Sequence, residues 1–161
     1  MKPAIRLLLF LVLPLYFADQ ATKWLVLQNI RTDETVPVIP RLLNFVQVHN
    51  TGAAFGILKD SNAFFIVLSG AALVVLAVLA WRGTFAGPPM RVGAALLAAG
   101  ILGNLTDRIL HGYVLDFLDV TLPWYGHWPA FNIADACICV AAGLFILESF
   151  LPGKKPLPEE I

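Results

Sequence analysis

The stretch NAFFIVLSGAALVVLAVLAW, Asn62 to Trp81, carries no charged side chain. A helix needs about 20 mostly apolar residues to cross a bilayer, so this segment predicts a transmembrane span. Ser69, Gly70, Ala71 and Ala72 within it offer a surface on which a neighbouring helix can pack closely. Working outward, Ala4 to Leu27, Val92 to Leu110 and Ala130 to Leu151 are also long enough to span. The composition agrees: the 161 residues have a mean hydropathy of +0.77, 58% are hydrophobic, 14% are charged, and the formal charge is zero. That is not the surface of a soluble domain, and it supplies no basic excess for nucleic acid. The predicted fold is a mainly α membrane protein, a single domain over residues 1–161, with four transmembrane helices at about 4–27, 62–81, 92–110 and 130–151.

Lys2 and Arg6 followed by Leu7 to Leu13 resemble the charged and apolar regions of a secretory signal peptide. A cleavable signal ends in small residues, whereas Tyr16-Phe17-Ala18 is bulky and the apolar pattern resumes at Trp24 to Leu27. The segment therefore reads as a retained anchor helix. With four spans, Lys2, Arg6, Arg82, Arg91, Lys154 and Lys155 fall on one side and Arg31, Arg41 and Lys59 on the other. The first group is the larger, which places both termini in the cytoplasm. Gly83, Gly87, Pro88 and Pro89 make the 82–91 connection a short helix-breaking turn.

The extracytoplasmic connections, 28–61 and 111–129, are long and apolar. Thr35 to Pro40 and Leu42 to His49 are rich in β-branched and aromatic residues with partial alternation, which predicts a small sheet. Asn50 to Gly56 supplies turn chemistry. Leu122 to Pro129, aromatic and bounded by prolines, suits the headgroup level. Together these segments can form a platform and a flap over a site at the outer leaflet. Cys137 and Cys139, two apart in an apolar run, point in different directions on a helix and read as buried thiols.

Polar residues in such a chain require a reason, because an ionisable group inside a membrane is costly. Gly100, Gly103, Asn104, Asp107 and Arg108 recur at helical spacing and share one face, which must look into the bundle. Asp107 and Arg108 are adjacent, so each is expected to reach a neighbouring helix or loop. Asp19 and Lys23 stand at i, i+4 with the acid first, the favourable order for an intrahelical pair. The plain reading of these groups is a structural network that holds the helices together. Asn132 and Asp135, just after Pro129, fit a capping box at the start of the fourth span.

The second acid weakens that plain reading. Asp116, in Val114-Leu115-Asp116-Phe117, lies just past the third span at a depth similar to Asp135. Two carboxylates brought together share a proton and titrate as a pair. The ionised partner can take a proton from water while the protonated one polarises a scissile carbonyl. Other chemistries are poorly supplied: His49, His111 and His127 lack metal-site spacing, and no GxSxG elbow or P-loop is present. Neither a metal nor a cofactor is expected. Asp119, deeper in the loop, reads as solvated. Two alternatives remain at this point: a small transporter or proton relay using Asp19, Asp107 and Asp135, and a non-catalytic membrane scaffold.

Five blocks, Asp19 to Lys23, Asn50 to Phe55, Ala99 to Arg108, Val114 to Phe117 and Phe131 to Asp135, resemble in order the signature blocks of the lipoprotein signal peptidases, the bacterial type II signal peptidases. The resemblance implies an aspartic endopeptidase of the bacterial plasma (inner) membrane. Such an enzyme removes signal peptides from prolipoproteins by cutting before a cysteine that already carries diacylglycerol. It also implies four spans, cytoplasmic termini, an extracytoplasmic β-cradle and a short periplasmic helix, with the active site towards that face. On matching positions, Asp116 and Asp135 correspond to the catalytic dyad. Asp19, Lys23, Asn50, Gly52, Asn104, Asp107, Arg108, Asn132 and Ala134 correspond to supporting or substrate-binding positions. The expected partners are diacylglyceryl-prolipoprotein substrates and membrane lipids, and the chain is expected to act as a monomer. One departure is Ala99-Gly100 where the family has a glycine pair, which adds a methyl group to the packing.

Overall fold

The computed structural model describes residues 3–52 and 61–150, with side chains from Phe10 onward. In chain order the elements are α1 (Pro3–Asn29), β1 (Thr35–Ile39), β2 (Leu43–Asn50), α2 (Asn62–Trp81), α3 (Gly87–His111), β3 (Val114–Leu122), β4 (Gly126–His127) and α4 (Ile133–Phe150). Among the described residues three helices, α2, α3 and α4, are long and apolar enough to cross a membrane, with mean hydropathies of 2.8, 1.2 and 1.9. α1 is 27 residues long with Pro14 inside it, and also carries the charged Asp19 and Lys23.

α3 is the helix on which α1, α2 and α4 pack. Its small residues allow this. A Cβ added at Gly103 would stand 2.6 Å from Asp19 Oδ2 and 3.0 Å from Ala134 Cβ, and one at Gly100 would collide with the Ala134 carbonyl oxygen and the Ile138 side chain. The methyl of Ala99 is accommodated: it is buried in a cluster with Val12 and Ala95. The close-packing surface expected at Ser69 to Ala72 is not used in this way. No residue of α2 is buried, and nothing lies within 4 Å of a Cβ built on Gly70. The turn between α2 and α3 is also shorter than the 82–91 expected. Pro88 and Pro89 sit in the first turn of α3, where the missing N–H has no intrahelical partner to lose, so Arg91 is helical.

Helix α3 ends at Gly112, whose left-handed φ of 81° lets its N–H bond the Arg108 carbonyl and turns the chain into β3. The sheet is antiparallel in the order β1-β2-β3-β4. It therefore draws on both long connections, whereas strands were expected only in the first. On β3, Leu115 and Phe117 pack with Val26 and Ile30 of the α1 end. Strand alternation sends Asp116, between them, to the opposite face. Among the described residues of the two connections no helix is present; residues 53–60, which include part of the expected Asn50 to Gly56 turn, lie outside them.

The surface is unlike that of a soluble protein. Phe10 and Phe17 on α1, Val67 and Val74 on α2, and Ile146 and Phe150 on α4 are all exposed, large apolar side chains of the kind that mark a membrane-facing surface.

Candidate active site

α4 begins with a reciprocal capping box. The Asp135 N–H donates to Asn132 Oδ1 at 2.9 Å, and the Asn132 N–H donates to Asp135 Oδ2 at 3.1 Å. Asn132 is fully buried and does more than cap the helix. Its Nδ2 donates to Asp116 Oδ1 at 2.8 Å, with the Leu115 carbonyl and Asn104 Oδ1 each at 3.2 Å. One side chain thus links the two acids, which come from a strand and a helix. Asp116 Oδ2 accepts from Asn50 Nδ2 at 2.9 Å, and Asp135 Oδ1 accepts from Asn104 Nδ2 at 2.8 Å.

Beneath the acids lies a buried ionic cluster. Lys23 Nζ is 2.8 Å from Asp19 Oδ2, 2.9 Å from Asp107 Oδ2 and 3.2 Å from Asn104 Oδ1. The i, i+4 pair on α1 is therefore present but shared with α3. Asp19 Oδ1 accepts the Ala134 N–H and Asp107 Oδ2 accepts the Leu115 N–H, so the cluster positions the starts of both α4 and β3. Asp107 does not pair with Arg108. The Arg108 guanidinium donates to the Gly52 carbonyl and lies 4.8 Å from the centre of the Phe65 ring, while the Gly52 N–H donates to Asn50 Oδ1. All eleven positions singled out from the sequence thus fall within one connected arrangement.

Two features of it were not read from the sequence. Gln20 was not among the singled-out positions, yet its Nε2 donates to Asp107 Oδ1, Asp19 Oδ2 and the Gly103 carbonyl. The available signal was an amide beside Asp19 in an apolar helix. Asp119, read as solvated, is buried on β3 and accepts from Asn44 Nδ2 at 2.9 Å, with His127 Nδ1 at 2.9 Å from each of its oxygens.

A cavity of about 780 Å³ opens onto the acids. Asn50, Gly52, Asn104, Arg108, Asp116 and Asp135 line one part of it, and Val48, Val114, Phe131, Ile138 and Cys139 give it apolar walls. Burial pushes the Asp116 carboxyl up to about 7, and the Asp135 charge adds to the effect. The Asn50 hydrogen bond, the Lys23 charge and the Asn132 hydrogen bond oppose it with less weight. Among the described residues, no group of three or more His, Cys, Asp and Glu side chains could hold a metal ion.

An apolar helical bundle with two carboxylates facing one cavity has the parts of a membrane-embedded aspartic peptidase, and comparison with known proteins gives that class. The signal peptidase (SPase) II family matches residues 11–151. The lipoprotein signal peptidase of Syntrophotalea carbinolica is 40% identical over 92% of this chain and 93% of its own length. That of Escherichia coli O1:K1 is 40% identical over 91% of this chain and 90% of its own length. A bacterial membrane enzyme solved by the in meso method at 2.3 Å superposes with a TM-score of 0.84 at 30% identity, covering 100% of this chain and 95% of that one. The chain belongs to the signal peptidase II family and is an integral bacterial membrane protein.

Proposed function

We propose that Asp116 and Asp135 form a catalytic dyad that activates water to cleave diacylglyceryl-modified prolipoproteins on the N-terminal side of the lipidated cysteine. The observation that carries this reading is Asn132, which bonds Asp116 through its amide and Asp135 through the capping box, holding both acids at one cavity. Asp116, with its carboxyl near 7, holds the shared proton and polarises the scissile carbonyl. Asp135, at the third position of α4 where the helix dipole favours an anion, takes the proton from water. Asn104, Asn132 and Asn50 orient the pair, Asp19, Lys23 and Asp107 brace the elements that carry it, and Arg108 holds the Gly52 backbone at the rim.

The membrane arrangement follows. α1 is about 40 Å long at ~1.5 Å per residue, enough to cross, and its Asp19 and Lys23 are compensated within the bundle. Four helices then span the bilayer with both termini in the cytoplasm, as the distribution of Lys and Arg favours, and the sheet and cavity lie at the extracytoplasmic face. There the acyl chains of a substrate remain in lipid while its scissile bond meets the dyad. The test offers the purified chain one prolipoprotein with and without diacylglycerol and measures product masses. Cleavage before the cysteine in the lipidated form alone is expected; cleavage elsewhere, or equal cleavage of both forms, contradicts the reading.

A further inference from the structure

A second cavity, of about 430 Å³, adjoins the one that holds the acids. The two share Val48, Trp128, Pro129 and Ala130 as lining residues, so they meet across a common wall of β2 and the segment before α4. The second cavity is within the size range of ligand pockets and has a distinct polar end. Asp119 Oδ2 accepts the Asn44 amide, and both Asp119 oxygens lie 2.9 Å from His127 Nδ1. The His127 ring is largely exposed while the Asp119 side chain is only 11% accessible. None of these three residues touches Asp116 or Asp135 through a described hydrogen bond, so the cluster is unused by the mechanism above.

We infer that this cavity receives the polypeptide immediately downstream of the lipidated cysteine, and that the Asp119–His127 pair makes it discriminate by charge, favouring cationic over acidic side chains. This rests on the proposed cleavage reaction. A scissile bond held at the dyad divides the substrate: the signal helix and acyl chains belong in the apolar bundle and lipid, while the downstream chain is polar and must leave towards the sheet. An extended chain advances ~3.3 Å per residue, so the first few residues past the cut reach the adjoining space. Among the described lining residues Asp119 is the one carboxylic side chain, and its oxygens are what a cationic side chain entering the cavity would meet. The largely exposed ring leaves the carboxylate screened by water, which limits the discrimination to about threefold to fivefold.

The experiment compares kcat/KM for two lipidated peptides that differ only in Lys or Glu at the third residue after the cysteine, using the full chain in detergent. Wild-type protein is expected to favour the Lys peptide by about threefold to fivefold. Asp119→Asn should bring the ratio to about one, and His127→Ala, which uncovers the carboxylate, should widen it. Equal rates in the wild type, or one ratio in all three proteins, overturns the inference while leaving the dyad intact. Failure of wild-type protein to cleave either peptide instead removes the cleavage reaction on which the inference depends.

Discussion

Replacing Asn132 by alanine is the sharpest perturbation of the site short of removing an acid. The side chain is fully buried, caps α4 and donates to Asp116 Oδ1. Loss of a helix cap costs about 1 kcal/mol, and loss of a buried hydrogen bond to a charged group about 1.5–3 kcal/mol. The two losses share one side chain and are not independent, so Asn132→Ala should lower unfolding stability by about 3 kcal/mol. Asn132→Ser keeps a capping oxygen but falls short of Asp116, and should recover about 1 kcal/mol of this. Neither variant restrains the relative placement of the acids, and displacement of ~1 Å at a reacting centre can cost about 100-fold in rate. Denaturant unfolding in detergent, followed by labelling of the buried Cys137 thiol in a Cys139→Ala background because Cys139 is exposed, reports the first quantity, and cleavage of a lipidated substrate reports the second. Unfolding of Asn132→Ala within about 0.5 kcal/mol of wild type, or full activity of Asn132→Ser with its cap, contradicts this role of Asn132.

Three further outcomes follow from the same geometry. Lys23→Met leaves Asp19 and Asp107 buried without their cation and should cost about 3–5 kcal/mol, read from the same unfolding assay. Gly103→Val places branched carbon against the Asp19 carboxylate and Ala134, and should cost at least about 1–3 kcal/mol, with a matching loss of folded protein in detergent. Because the native Asp116 carboxyl binds its proton up to about 7, against an ordinary 3.8, deprotonation should remove the general acid as pH rises through that value. A pH profile of kcat/KM should therefore fall about tenfold per unit above pH 7; a flat profile to pH 9 would place the proton elsewhere.

Much of this was legible in the chain itself. A run without charged residues marks Asn62–Trp81 at the boundaries the helix takes, and the polar face of α3 from Gly100 to Asp107 is buried as its period requires. What escaped reading depends on partners distant in sequence. β3 contains Asp116 and Asp119, which break its apolar alternation, and it becomes a strand by pairing with β2, as in Asp119 against Asn44. Asp119 is buried for the same reason: Asn44 and His127 arrive from other strands to satisfy it. Small residues mislead in a related way. Gly70 and Gly103 look equally suited to close packing, and only the bundle decides that α4 and Asp19 meet α3 at Gly103 while Gly70 remains open. Asp135 illustrates why the capping and dyad readings do not compete. Its Oδ2 completes the cap while its Oδ1 faces Asn104 at the cavity.

In the proposed mechanism both carboxylates are needed for the chemistry and neither for insertion. Asp116→Asn and Asp135→Asn are close in size to the native residues, so each protein should enter the membrane and unfold cooperatively in detergent. Each should also leave a diacylglyceryl-modified prolipoprotein uncut over times in which wild-type protein processes it completely. Wild-type cleavage by either folded variant would contradict the dyad.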